Sequence, residues 1–413
     1  MMNTHTLVRG HSAPATNPIA VTERLDVLDV LRGFALLGIL VVNMAAFKGS
    51  GFGSLADAST LDTVAAWLIA FGFQTKFYVI FSFLFGYGLS VQMNRAAARG
   101  ASVVPRFLRR LMGLLVLGIL HALLLYVGDI LVTYAVLGVV LLLLRNASDR
   151  VVVRVAVLLI AATTLLLLLG SLALTFVASE VSIAEDLNAE ATRTRAAYRG
   201  SALDVIGQRV REYPGTLAFA LFGQGPTALA MFLLGLWSGR QRLLERIEDV
   251  LPLLHRVLRV GLVVGVPGAL VWATFRVRNG FTFDSSFLLA AAVDFATAPF
   301  LSAVYSATLV LLLRIGVWRR RLAPLALVGR MSLSNYLLQS LIGAWVFTGY
   351  GLGLYGHVGT AAGLGICIMI FAVQIPLSGW WLRRFQFGPA EWLLRSWTYA
   401  RLQPLRLQRA PNE

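Results

Sequence analysis

The chain has 413 residues, 58% hydrophobic and only 14% charged, with a net charge of +16 carried almost wholly by arginine. Soluble domains are roughly half apolar and about a quarter charged, so an ordinary soluble enzyme and a disordered chain are both excluded. Positive charge on so apolar a sequence reads as the basic loops of a membrane protein rather than a nucleic-acid surface, and the lone Cys367 excludes an internal disulfide, a Cys-rich zinc site and an iron–sulfur cluster.

A spanning helix needs about 20 mostly apolar residues. About ten such stretches occur, near 28–47, 76–93, 107–127, 129–145, 151–178, 216–238, 255–275, 286–313, 332–350 and 359–382. The expected fold is an all-α, polytopic membrane bundle. Residues 1–27 form a polar N-terminal segment, too long for a signal-peptide n-region. No A-x-A cleavage site follows the first span, which is expected to be retained. Residues 28–178 form an N-terminal bundle, 216–382 a C-terminal bundle, and 383–413 a basic tail. A short apolar stretch near 61–73 lies along the interface or makes a half-span. Gly128 and Asp129 must turn the chain tightly between the third and fourth spans, with Gly supplying backbone freedom. Pro267, Pro299 and Pro376 predict kinks or breaks.

The loops alternate in charge. Arg95, Arg99, Arg106, Arg109 and Arg110 precede the third span, whereas the next turn carries only Asp129. Arginines return at 145–154, 240–259, 314–330 and after 383. The positive-inside rule then places both termini in the cytoplasm, with the bilayer as the principal partner. Residues 179–215 form the one sizeable loop, on the outer side. Ser182 and Glu185 fit a capping box opening a polar helix there, and Tyr213-Pro214 closes the segment. It reads as a linker between bundles or as a lid over an outward-facing site, with the linker favoured.

Ionisable groups within spans are costly and mark function by default. By depth, Asn43, Lys76, His121, Asp129 and Asp294 fall toward the outer side and would form one polar cluster. His121 is the candidate base, since imidazole titrates near neutral pH. Asp129 is placed to orient it through Nδ1; the alternative is a buried structural histidine, with Asp129 capping the next helix. At the inner end, Asp29 and Arg32 share a helix face. They form either an anchoring ion pair or a phosphate-facing guanidinium. Asn335 and Gln339, with Ser332, Ser334, Gln374 and Ser378, lie on the same side as polar ligands or as interhelical glue. No H-E-x-x-H and no phosphate-binding Gly-rich loop is present, so neither a metal nor an ATP-driven pump is expected. Gly86-Tyr87-Gly88 reads as close helix packing.

Five segments carry a family resemblance: RLDVLDVLRGFALLGILVVNM (24–44), FYVIFSFLFGYGLSVQ (77–92), RRLMGLLVLGILHALLLYVGDILVTYAVLG (109–138), GRMSLSNYLLQS (329–340) and FGPAEWLLRSWTY (387–399). Together they resemble the YeiB-like family of bacterial membrane proteins, similar to a branch of the transmembrane acyltransferase superfamily. The heparan-alpha-glucosaminide acetyltransferases and acyltransferase-3 proteins are relatives there. The resemblance implies a bacterial cytoplasmic-membrane enzyme. It would move an acyl group from cytosolic acyl-CoA to a hydroxyl or amine of a cell-envelope glycan or lipid beyond the membrane. Acyltransferase-3 proteins have a histidine in the first span after the arginine. Here Arg32 is followed by ten residues and then Asn43, as in the heparan-type branch. No histidine lies in 48–76, which leaves His121 at suitable depth. The implied roles are Arg32, Asn335 and Gln339 for the donor, and Asn43, Asp129 and Asp294 around the base. The alternatives are a secondary transporter or exporter of a small solute, favoured by the proline-broken spans and intramembrane charges, and a non-catalytic membrane scaffold.

Overall fold

The computed structural model describes residues 26–49, 59–177, 183–279 and 284–407. Their regular structure is helical: α1 (Asp26–Phe47), α2 (Thr60–Gly72), α3 (Lys76–Ala97), α4 (Val104–Leu124), α5 (Leu131–Leu143), α6 (Asp149–Val177), α7 (Ile183–Arg199), α8 (Ala202–Ala218), α9 (Gly225–Arg240), α10 (Leu251–Arg278), α11 (Ser285–Leu313), α12 (Gly316–Arg330), α13 (Ser332–Phe347), α14 (Thr360–Leu382) and α15 (Pro389–Tyr399). Among the described residues, eight continuous helical stretches are long and apolar enough to cross a membrane. The fourth and ninth expected spans fall short of that length. Their helices, α5 and α13, have 13 and 16 residues, which at 1.5 Å per residue gives about 20 and 24 Å against a hydrocarbon core of about 30 Å.

Much of the exterior is apolar. On α6, Leu158, Leu165, Leu166, Leu172 and Phe176 all face outward, a surface suited to lipid rather than water. Between lipid-facing helices burial of apolar area gives little net drive, so packing must come from close contact. Glycine provides it at two crossings. A Cβ on Gly33 of α1 would overlap the Leu325 carbonyl of α12, and one on Gly329 would overlap the Asp29 carbonyl of α1. In the same way Gly86 of α3 meets the Phe232 carbonyl of α9, and Gly235 meets that of Phe83. The 86–88 motif is thus a packing motif at Gly86, while Gly88 faces open space.

Two local expectations are corrected, the end at Tyr213-Pro214 and the role of Gly128. The described part of 179–215 contains α7 and α8, and α8 does not stop at Tyr213-Pro214. Pro214 lies inside α8, which continues through a π-helical segment, Phe219–Gln224, into α9. A wider turn absorbs an extra residue without breaking the helix. The capping box that opens α8 is Ser201 with Asp204; Ser182 lies outside the described residues. Gly128 keeps an ordinary φ, and glycine is needed there for space, because a Cβ would meet the Tyr126 ring at 2.7 Å. Pro267, Pro299 and Pro376 are all carried within continuous helices.

Candidate active site

The α4–α5 hairpin brings His121 and Asp129 together. His121 is three residues from the end of α4, and Asp129 precedes α5 in the linker. His121 Nδ1 lies 2.8 Å from Asp129 Oδ1. The other carboxylate oxygen, Oδ2, accepts from the Val132 amide at 2.8 Å, so Asp129 both orients the imidazole and caps the first turn of α5. The two readings of Asp129 are therefore compatible. With the Asp129 carboxylate as acceptor, the imidazole carries its proton on Nδ1 and the neutral ring leaves Nε2 as an acceptor. Nε2 lies 2.8 Å from Ser340 Oγ on α13. All three residues are buried, and the imidazole packs on the Tyr336 ring at 4.8 Å between centroids. Ser340, the third member of this row, was not legible as such in the sequence.

The expected outer cluster divides in two. Lys76 and Asp294 form a separate ion pair, 2.8 Å apart and fully buried. Thr75 donates to the same carboxylate. Thr75 carries a left-handed φ of 69° at the break between α2 and α3, an uncommon conformation for a β-branched residue. The hydrogen bond and the adjacent ion pair hold that break to α11. Neither member of the pair bonds His121. Asn43 is half-buried and shares no hydrogen bond with either group among the described residues. Asn335 and Gln339 are buried in an α13–α14 network. Asn335 Nδ2 donates to Ser378 Oγ and to the Val328 carbonyl, and Gln339 Nε2 donates to Gln374 Oε1. Gln374 Nε2 donates back to the Asn335 carbonyl at 3.0 Å, which closes the network.

A cavity of about 340 Å³ opens among α1, α3, α4, α5, α12, α13 and α15, within the usual size of a small-molecule site. Its lining carries Arg32, Arg95, Arg99, Arg106, Arg110, Arg330 and Arg395 against only Asp29 and Glu391. The same lining includes apolar side chains, among them Leu36, Ile39, Leu84, Leu114 and Leu131. Arg32 Nη1 donates to Asp29 at 2.9 Å. Arg110 lies within electrostatic reach of Arg32 and Arg395. The Nε atoms of Arg110, Arg330 and Arg395 are buried with no hydrogen-bond acceptor. Burial, with Arg95 adding to it, lowers the Arg395 pKa, while Tyr399 and Glu391 oppose the shift. Such a concentration of cations with spare donors suits a polyanion. Tyr336 lines the cavity and packs on His121, so a single side chain joins the two features.

The end of α4 that carries His121 packs against α8. The buried Arg209 guanidinium donates to the Leu124 carbonyl at the end of α4 and faces the Tyr198 ring. Tyr198 donates to Glu212 at 2.7 Å and stacks on Tyr355. Burial pushes the Tyr355 phenol up to about 12, with Glu212 adding to the shift. Tyr213 is within electrostatic reach of Asp129. The α8 segment thus holds the end of α4 as well as connecting to α9.

Residues 238–401 match the family described as protein of unknown function (DUF418). Over 406 residues the chain is 37% identical to a Bacillus subtilis (strain 168) protein named "Uncharacterized protein YxaH", covering 94% of this chain and 97% of that one. Over 405 residues it is 31% identical to "Uncharacterized protein YeiB" of Escherichia coli (strain K12), covering 91% and 96%. A 39.9 kDa Bacillus acidopullulyticus protein from the amylase 3' region is 29% identical over 406 residues. No solved structure matches the chain. Similarity over nearly the whole length of both proteins places this helical chain in the DUF418 family, with YxaH and YeiB.

Proposed function

We propose that the protein is a membrane-bound acyltransferase of the bacterial cytoplasmic membrane. It takes an acyl group from acyl-CoA at the cytoplasmic face and passes it to a hydroxyl or amine on a cell-envelope glycan or lipid beyond the membrane. In this reading about ten segments cross or enter the bilayer, both termini are cytoplasmic, and the arginine-lined cavity faces the cytosol. The observation that carries the reading is the cavity, lined by seven arginines and by apolar side chains, whose wall includes the tyrosine that packs on His121.

Arg32, Arg110, Arg330 and Arg395 hold the donor phosphates, for which guanidinium donors are geometrically suited. The pantetheine arm and acyl chain follow the apolar wall toward Tyr336. His121 acts as general base with Asp129 fixing its tautomer. Reaction requires the thioester carbonyl to come within about 3–3.5 Å of its nucleophile. Asp294 is assigned to the Lys76 pair, and Asn335 and Gln339 to packing of α13 on α14. Purified protein in lipid nanodiscs, titrated with CoA and acetyl-CoA, tests the proposal. Saturable binding, with thiol release that disappears in His121→Ala, is expected; no binding and no release from short or long acyl-CoA would sink it.

A second reading, a secondary transporter, is favoured by the buried Lys76–Asp294 pair at 2.8 Å, since intramembrane ion pairs mark ion and proton pathways. Proton- or sodium-coupled flux in vesicles that is abolished by Asp294→Asn and indifferent to CoA would select it.

A further inference from the structure

His121 has two ring nitrogens, and both are committed. Nδ1 faces Asp129 Oδ1 and Nε2 faces Ser340 Oγ, each at 2.8 Å. The proton nearest to the basic nitrogen is therefore that of Ser340. Ser340 is buried, 219 residues along the chain from His121, and lies one helical turn beyond Tyr336 on α13. That turn puts Tyr336 and Ser340 on one face of the helix, with the tyrosine nearer the cavity. The row Asp129–His121–Ser340 has the distances and order of roles that activate a serine for covalent catalysis.

The surroundings favour a covalent stage. The arginine-lined cavity reaches Tyr336, and α8 packs on the end of α4, through Arg209 on the Leu124 carbonyl. Two substrates arriving from opposite ends need not meet if the acyl group is parked on the protein between visits.

We infer that Ser340 is the acyl-accepting nucleophile of this protein, forming a serine ester that is discharged onto the acceptor in a second step. The inference rests on the acyltransfer reading above. Rotation of Tyr336 opens the cavity to Ser340. His121 Nε2 takes the Ser340 hydroxyl proton as Oγ bonds to the thioester carbonyl carbon. The carbon–sulfur bond breaks, the thiolate leaves, and the imidazolium returns the proton to give free CoA thiol. In the second half, an acceptor hydroxyl or amine gives its proton to Nε2 and attacks the ester carbonyl. The carbon–Oγ bond then breaks, and Oγ recovers the proton from the imidazolium. The acyl group has moved from sulfur to the acceptor, and no redox change occurs.

Full-length protein in nanodiscs is mixed with [14C]acetyl-CoA without acceptor and quenched in acid, and both CoA thiol release and protein-bound label are read. The expected result is one burst of thiol release matched by label on the peptide containing Ser340. Label should be absent in Ser340→Ala and at least about 100-fold slower to form in His121→Ala, the usual scale of base catalysis. Ser340→Cys, which keeps the side-chain size, should give a label removed by neutral hydroxylamine, as a thioester is. Thiol release at the wild-type rate in Ser340→Ala, with no label on the wild type, would overturn the serine ester while sustaining cleavage of the donor. Absence of both thiol release and label while acetyl-CoA still binds saturably would overturn the serine ester alone, and absence of binding as well would overturn the two proposals together.

Discussion

Gly118 and Asp129 face each other across the α4–α5 hairpin so closely that a Cβ on the glycine would lie 2.7 Å from Asp129 Oδ2. The same Cβ would lie 2.7 Å from the Val132 amide nitrogen. The room for the carboxylate is therefore made on α4 itself, one turn before His121. Gly118→Ala should force Asp129 or α5 to shift. A displacement of about 1 Å can cost about 100-fold in rate, whereas overpacking costs about 1–3 kcal/mol in stability. Acyl-CoA turnover and thermal melting, measured on one preparation, should show the rate falling far more than the stability.

The Lys76–Asp294 pair should behave as a unit. Asp294→Leu leaves a buried ammonium without its carboxylate, a loss of about 3–5 kcal/mol. Adding Lys76→Met removes the stranded charge and should recover most of that loss. The four-protein denaturation cycle checks this; a double variant as unstable as Asp294→Leu would contradict a paired role.

The cavity arginines should separate the phosphate contribution of a donor from its acyl arm. Arg110→Ala, Arg330→Ala and Arg395→Ala should each weaken CoA binding by about tenfold, the scale of one hydrogen bond to a charged group. Binding of phosphate-free pantetheine should be unchanged. Raising the salt should weaken CoA binding in the wild type more than in the variants. Calorimetry in nanodiscs at two ionic strengths reads both effects.

Glu391 links α15 to the start of α13, accepting from the Leu333 amide at 2.6 Å and from the Ser334 amide and hydroxyl. Burial raises its pKa, opposed by these hydrogen bonds. A carboxyl whose folded pKa exceeds its unfolded value binds more protons when folded, so its stabilisation is full below the unfolded pKa and is lost as pH rises through the folded one. Wild-type melting temperature should therefore decline across that window, from about pH 4.3 upward, more steeply than that of Glu391→Gln. Parallel pH profiles for the two proteins would remove Glu391 from this account.

The legible parts of the site are those set by short-range geometry. His121 and Asp129 are eight residues apart across one tight turn, so their meeting follows from the hairpin alone. Ser340 is 219 residues from His121, on a helix whose small polar residues resemble ordinary packing groups, and only the bundle's arrangement brings it in. Depth along the spans placed Lys76 and Asp294 at one level but carried no azimuth, which is why a single expected cluster became two pairs. Tyr213-Pro214 suggested an end to α8 because proline removes an amide donor. The π-helical segment after it keeps the helix running on into α9. The helical class was readable from apolar run length, whereas the shortness of α5 and α13 depends on where turns and caps cut those runs.

The crossing of α1 and α12 at Gly33 and Gly329 has an electrostatic consequence. Each glycine is bonded directly to an arginine of the cavity lining, Arg32 on one helix and Arg330 on the other. Backbone against backbone therefore fixes how far apart the two arginine main chains sit, and neither helix can withdraw without losing the contact. Arg32 is already paired with Asp29, so the crossing sets where Arg330 stands relative to that ion pair. An uncharged methyl group added at either glycine would then be felt at a distance, as a change in how tightly the protein holds phosphate.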